Sequence, residues 1–260
     1  MTFQLHHISH SAANKYLQCG ERYRLERVEH HYGLPHLASI GGSAFHNWTE
    51  EWDLLNNLGQ STDGIADFRT FFLAELEEKA EEHYRRTGEE LNVDDIPHSR
   101  GEGHEKWVTM GTSMCEDYVE WRKETGWECV EIEYSYEQEL GLTVPAVGFI
   151  DREFINNKGE RILVDMKSGK SSNIGGTPQL FEYAVIRRLQ GVRIDWVAYY
   201  DARKGMLLTL QDPTNHNVAW LKNYYGKVVD KINKGVFKPN PGIQCRYCPV
   251  REHCQYREVR

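Results

Sequence analysis

No run of about 18 apolar residues occurs in the sequence, which excludes a membrane-spanning helix on length. Met1 to His10 lacks the long apolar stretch of a secretory leader, so a cytoplasmic protein is expected. There is no internal repeat and no low-complexity tract. Positive charge is in deficit: 31 Lys and Arg stand against 39 Asp and Glu, for a formal net charge of -8. That balance disfavours a chain that coats nucleic acid nonspecifically. It still permits a local basic track, or a bound cation that supplies its own charge. A nucleotide-binding loop is missing too. Gly169-Lys170-Ser171 would end such a loop, but its first glycine would fall at position 164, which is Val164.

What is present is an ordinary globular composition, 40% hydrophobic and 27% charged over 260 residues, long enough to bury a sizeable core. Acidity concentrates between Glu50 and Glu105, so an acidic helical face turned away from nucleic acid is expected. Helical spacing predicts helices over about 11–27, from Gly42 through Leu55, around Phe68 to Ala80 and from Trp107 to Trp121. After Gly126 the period changes. Val130, Ile132, Tyr134 and Tyr136 alternate with charged residues, and strands are predicted at 144–155 and 161–165 across the turn-forming 156–160. A helix at 178–189, a hairpin over 192–210 and a helix at 215–233 follow. The order predicts an α/β core within helical flanks. Most of the 7 Trp and 14 Tyr are expected in the core, with some free to stack on unpaired bases.

The two central strands hold an unusual pair. With the turn centred on Lys158, antiparallel pairing sets Asp151 nearly opposite Asp165. Opposed side chains are about 5 Å apart at Cβ, so two carboxylates there repel unless a cation joins them. Hard oxygen ligands suit Mg²⁺ or Mn²⁺. Alternation puts Lys167 on the face of Asp165, where a lysine can orient an attacking water, deprotonate it as the neutral amine, or as the ammonium stabilise charge growing on a phosphate. An Asp-x-Lys alone is weak evidence, since ordinary surface hairpins carry such charges.

Gly148-Phe149-Ile150-Asp151 followed by Val164-Asp165-Met166-Lys167 resembles the core of the PD-(D/E)XK nucleases, RecB-like branch. Gly42-Ser43-Ala44-Phe45-His46 matches that branch's upstream Gly-x-x-x-His, and Gln179-Leu180-Phe181-Glu182-Tyr183 its downstream Gln-x-x-x-Tyr. The resemblance implies a restriction-endonuclease-like core, a central mixed sheet flanked by helices. It implies His46, Asp151, Asp165 and the Met166 carbonyl as metal ligands, Lys167 as the catalytic lysine, and Gln179 and Tyr183 as residues that line the site and hold DNA. Asp165 stands where many members carry Glu. Glu50, Glu131 and Glu133 are candidates for a further acid, with nothing in the sequence to choose among them.

The last motif is Cys245-x-x-Cys248-x5-Cys254, three thiolates that leave a tetrahedral site one short, with Cys19 able to complete it. Zinc and a four-iron cluster both fit, and spacing alone favours zinc. One early cysteine with a terminal trio is similar, however, to the iron–sulfur staple of AddB-type and CRISPR-adaptation nucleases, which implies a [4Fe-4S] cluster tying the chain ends. Cys115 and Cys129 fall outside this set and are expected to be buried. Three segments are then expected: a helical region at 1–125 with Cys19 and Gly-x-x-x-His, a nuclease core at 126–235, and a cysteine segment at 236–260 closing on Cys19. The expected function is metal-dependent hydrolysis of DNA, as an exonuclease on single strands in recombination, repair or phage DNA processing, with a helicase or recombination protein as partner. The alternatives are a CRISPR-adaptation nuclease and a non-catalytic DNA-binding iron–sulfur scaffold, and the presence of Asp151, Asp165 and Lys167 weighs against the scaffold.

Overall fold

The computed structural model describes residues 3–170 and 178–257. In chain order its elements are α1 (His10–Gln18), α2 (Gly20–Tyr23), α3 (Leu37–Asn57), α4 (Phe68–Thr87), α5 (His104–Thr125), β1 (Glu128–Gln138), β2 (Ala146–Ile155), β3 (Arg161–Lys167), α6 (Gln179–Leu189), β4 (Trp196–Asp201), β5 (Met206–Leu207) and α7 (Val218–Asn233). The strands form one mixed sheet in the order β1-β2-β3-β4-β5. The chain divides into two compact units, one made of 34–134 and 150–215, the other of 1–33, 135–149 and 216–260. No described helix is long and apolar enough to cross a membrane.

In the first of these units, the β2–β3 hairpin follows from its turn. The Asn156 side chain accepts from the amides of Lys158 and Glu160 at 2.9 and 3.0 Å, and Gly159 takes a left-handed φ of 76°. This sets the register Arg152↔Val164 and Glu153↔Leu163, which continued by one residue places Asp151 opposite Asp165. β3 and β4 run parallel, with α6 as the crossover between them. Alternation then sorts the side chains. Phe154, Ile162, Val164 and Met166 join the core packed with Phe45 of α3 and Trp107, Tyr118 and Trp121 of α5. Leu163, Asp165 and Lys167 take the other parity, and Tyr183 of α6 bonds Asp165 there.

Helix ends obey local chemistry. Asp67 caps α4 by accepting from the Thr70 amide at 3.0 Å, and α4 and α5 stop at Gly88 and Gly126, both left-handed. The predicted helix over 11–27 is instead broken at Cys19, where extended backbone separates α1 from α2, and the helical segment finishes in a π turn at Arg24–Val28. Cys115 and Cys129 are buried in the apolar core, which raises their thiol pKa values.

In the second unit, α1 packs with α7, the Ile8 strand segment pairs in parallel with Ala146, and the Tyr23 ring stacks on Phe237 at 6.2 Å. Of the C-terminal 3-10 turns, Ile243–Tyr247 contains Cys245 and is followed by Cys248, and Arg251–His253 is followed by Cys254. Gly33 has no room for a side chain, because a Cβ there would lie 2.2 Å from the Pro249 carbonyl oxygen.

Candidate metal centre and cysteine cavity

α3 presents Gly42, His46, Thr49 and Asp53 along one stripe, at spacings of four, three and four. Gly42 allows close approach of the loop that follows β3, since a Cβ there would sit 2.8 Å from Ser168 Oγ. One turn later, His46 Nε2 is 3.0 Å from the Met166 carbonyl oxygen. A carbonyl only accepts, so the contact calls for a hydrogen on Nε2, and Nδ1 offers a lone pair when the imidazole is neutral. Nδ1 faces two carboxylates, Glu133 at 3.7 Å and Asp151 at 3.8 Å. His46, Glu133 and Asp151 offer ligand atoms all within 4.8 Å of one another.

The acid that the sequence left open among Glu50, Glu131 and Glu133 thus has a place. Glu133 reaches the centre, whereas Glu131 lies 3.8 Å from Arg187 and Glu50 lines the adjoining cleft. Strict alternation would treat Glu131 and Glu133 alike. Glu133 has a φ of 47°, a conformation costly for a residue with a Cβ, and this removes it from the regular strand pattern.

Asp151 Oδ2 accepts from the Met166 amide at 2.6 Å. Burial and the Asp165 carboxylate push the Asp151 carboxyl up, to about 6. Asp165 is 1% exposed; its Oδ2 accepts no well-aligned hydrogen bond among the described residues and lies 2.5 Å from the Lys167 ammonium. A closed circuit continues from there. Lys167 donates to Gln179 Oε1 at 3.2 Å, Gln179 Nε2 donates to the Tyr183 hydroxyl at 2.6 Å, and Tyr183 donates to Asp165 Oδ1 at 3.3 Å. The four-residue spacing of Gln179 and Tyr183 on α6 makes this possible. Burial works against the Lys167 cation, but Asp165 outweighs it and raises its pKa. For His46, burial is likewise outweighed by Asp151 and Glu133, and the net shift is upward.

Beneath the ligands lies a buried ionic network that sequence reading missed. β2 carries three consecutive buried charges, Asp151, Arg152 and Glu153. Arg152 Nε donates to Asp53 Oδ2 at 2.7 Å, while its other nitrogens donate to Glu133 and Thr49, each at 3.2 Å, and to the Asp151 carbonyl at 2.7 Å. Asp53 also accepts from Tyr118 at 2.5 Å and Arg122 at 3.0 Å. Glu153 turns the other way, to Arg187 at 2.8 Å. Each charge faces a different neighbour, so Arg152 holds Glu133 and the Asp151 backbone in place while Asp53 pays its desolvation.

The centre opens on a cleft of about 640 Å³ bounded by Gly42, His46, Glu50, Glu75, Glu78 and Lys167, among others. The acidic helical residues expected to turn away from nucleic acid therefore include three that line this cleft. Packing of α4 on α3 brings them there, and Asn47 donates to Glu75 at 2.7 Å. Beyond Lys167, Arg203 donates to the Ser168 carbonyl at 2.8 Å and to Glu102 at 2.9 Å, and Glu102 lies 3.5 Å from Lys170. Ser171, the last residue of the Gly169-Lys170-Ser171 run, lies outside the described residues.

In the other unit, Cys19, Cys245, Cys248 and Cys254 line one small cavity with Arg22, Arg251 and Arg257. The Asn240 amide donates to Cys19 Sγ and the Gly242 amide to Cys245 Sγ, both at 3.4 Å. All four are half-buried free thiols.

The model of one protein family, the PD-(D/E)XK nuclease superfamily, matches residues 7–255. Among curated proteins, none matches this chain.

Proposed function

Because this chain belongs to the PD-(D/E)XK nuclease superfamily, we propose that it is a deoxyribonuclease of the RecB-like branch, cutting single-stranded DNA as an exonuclease in recombination, repair or phage DNA processing. The observation that carries the chemistry is the junction of the His46–Glu133–Asp151 group with the Asp165–Lys167–Gln179–Tyr183 circuit. The donors fit Mg²⁺ or Mn²⁺: carboxylate oxygens and one imidazole, with a buried Asp165 oxygen short of hydrogen bonds. His46, Glu133, Asp151 and Asp165 would hold the cation, and the Met166 carbonyl would join them as a ligand only where His46 Nε2 gives up the hydrogen it donates there; otherwise that carbonyl orients the imidazole. When bound, the cation supplies positive charge against the phosphoryl group under attack.

The protein's own residues do the rest. Lys167 keeps an ammonium beside Asp165, placed to orient water and to offset charge growing on the phosphate. Gln179 and Tyr183 fix the direction of that ammonium, because the amide accepts from Lys167 and donates to Tyr183. Tyr183 is 3% exposed, so its role in this reading is to position Asp165 and Lys167, and the expected contact with DNA falls to the more accessible Gln179.

At the other site, four cysteines round one cavity support a [4Fe-4S] cluster, with zinc as the alternative. Amides donating to Cys19 and Cys245 are partners that cluster thiolates use. The test is one anaerobic preparation. Iron and sulfide near four each per chain are expected, together with Mg²⁺- or Mn²⁺-dependent shortening of end-labelled single strands. Asp165→Ala should end the cutting and leave the cluster absorption unchanged. Cutting undiminished in that variant sinks the mechanism, and stoichiometric zinc without iron sinks the cluster.

A further inference from the structure

The chain is acidic overall, yet residues 218–238 contain five lysines (Lys222, Lys227, Lys231, Lys234, Lys238) and one acid, Asp230. That acid is spent on Lys234, at 2.8 Å. Along α7, Trp220, Tyr224, Lys227 and Lys231 follow at spacings of four, three and four, which puts them on one stripe of the helix. This stripe and the α1 residues Tyr16 and Leu17 bound a groove of about 220 Å³. The Trp220 and Tyr224 rings are nearly parallel, 8° apart in plane with centroids at 6.2 Å, and Trp220 is held edge-on by His216 at 4.7 Å. Leu17 is 52% exposed on the opposite wall. Lys227 and Lys231 are exposed and make no ion pair among the described residues.

The rings are half-buried rather than closed into the core, and no acid among the described residues offsets the two lysines beside them. Two aligned ring faces followed by two uncommitted ammonium groups match a polymer of planar groups on an anionic backbone whose bases are unpaired. We propose that the α1–α7 groove is a binding site for single-stranded DNA, with bases stacked on Trp220 and Tyr224 and phosphates on Lys227 and Lys231. The choice of DNA rests on the nuclease reading above. The groove shares no residue with the candidate metal centre, since its residues belong to the other compact unit. In this assignment a strand is gripped by residues that do no chemistry, and the acidic cleft need not supply the affinity.

The test uses the full chain carrying Asp165→Ala and a fluorescein-labelled thymidine oligonucleotide of about ten nucleotides. Anisotropy is measured across a salt series. Lys227→Ala with Lys231→Ala should weaken binding roughly tenfold and make the log–log salt slope shallower by about 1.4, the value for two single-strand phosphates. An abasic strand of equal length and charge should bind roughly tenfold more weakly, which tests stacking without altering the protein. Tyr224→Phe, which keeps the ring, should bind as the parent does. An unchanged salt slope overturns the proposal. So does equal binding of the abasic strand, or displacement of the oligonucleotide by polyglutamate of equal charge, which would mark a dock for an acidic protein. If the unaltered chain fails to cut while these contrasts hold, the nuclease reading alone falls. Cutting with flat contrasts removes this site alone.

Discussion

The metal centre and the cysteine cavity are built in opposite ways. The first stands on regular elements, α3, β2, β3 and α6, and its ligands are braced by buried hydrogen bonds and the Asp53–Arg122–Arg152 network. The second stands on short 3-10 turns whose buried residues are few, with Tyr247 82% and Ile243 74% exposed beside the cysteines. A preorganised centre holds its geometry without its ion. With the proposed cluster or zinc bound, a corner of short turns would draw its order from that group, because metal affinity and folding free energy are then the same quantity.

The largest effect in this comparison should come from Asp53→Ala. It strips the shared carboxylate from two buried guanidinium groups, and removing one side of such a pair costs about 3–5 kcal/mol. Chemical denaturation should show that loss, and a change under about 1 kcal/mol would mean that the network does not brace the centre. Next in size is Cys248→Ser. Hydrogen exchange should become fast over 240–257 while β3 keeps its protection, whereas uniform loss of protection would make the two regions one cooperative structure.

A smaller effect concerns pH. The Asp151 carboxyl is raised to about 6 in the folded chain, so its contribution to stability is present below its ordinary value near 3.8 and lost as pH rises through the folded value. Asp151→Asn should therefore raise the neutral-pH melting temperature of metal-free protein by several degrees, and the gain should vanish in acid. Saturating Mg²⁺ should stabilise the parent more than the variant. A variant less stable than the parent at pH 7 without metal would show that the site is not strained by its own charges. The smallest effect is Gly42→Ala. The new methyl meets only the Ser168 hydroxyl, which can turn aside, so a cost of about 1 kcal/mol and a several-fold drop in cutting are expected. A drop as complete as that of Asp165→Ala would mean that Gly42 does more than give Ser168 room.

Much of the centre was legible because antiparallel pairing is arithmetic. A turn at Lys158 forces 152 against 164, and so 151 against 165, whatever the rest of the chain does. The spacing of Gln179 and Tyr183 is equally local, as is the break in helix period after Gly126. Glu133 was not legible. Alternation made it equal to Glu131, and only a left-handed backbone at that residue separates them. Nor was Arg152, whose partners Asp53 and Thr49 each lie about a hundred residues away in sequence.

By itself, then, the sequence determined the hairpin register, the ordered motifs of His46, Asp151, Asp165, Lys167, Gln179 and Tyr183, and the spacing of the terminal cysteines. These are short-range properties, set by backbone period and turn chemistry. Tertiary structure decided which acid lies beside His46 and Asp151, what neutralises the charges buried under them, that Glu50, Glu75 and Glu78 line the adjoining cleft, and that Cys19 shares a cavity with Cys245, Cys248 and Cys254. Those outcomes depend on which side chains meet once apolar faces are buried, and no periodicity along the chain encodes a meeting between residues so far apart.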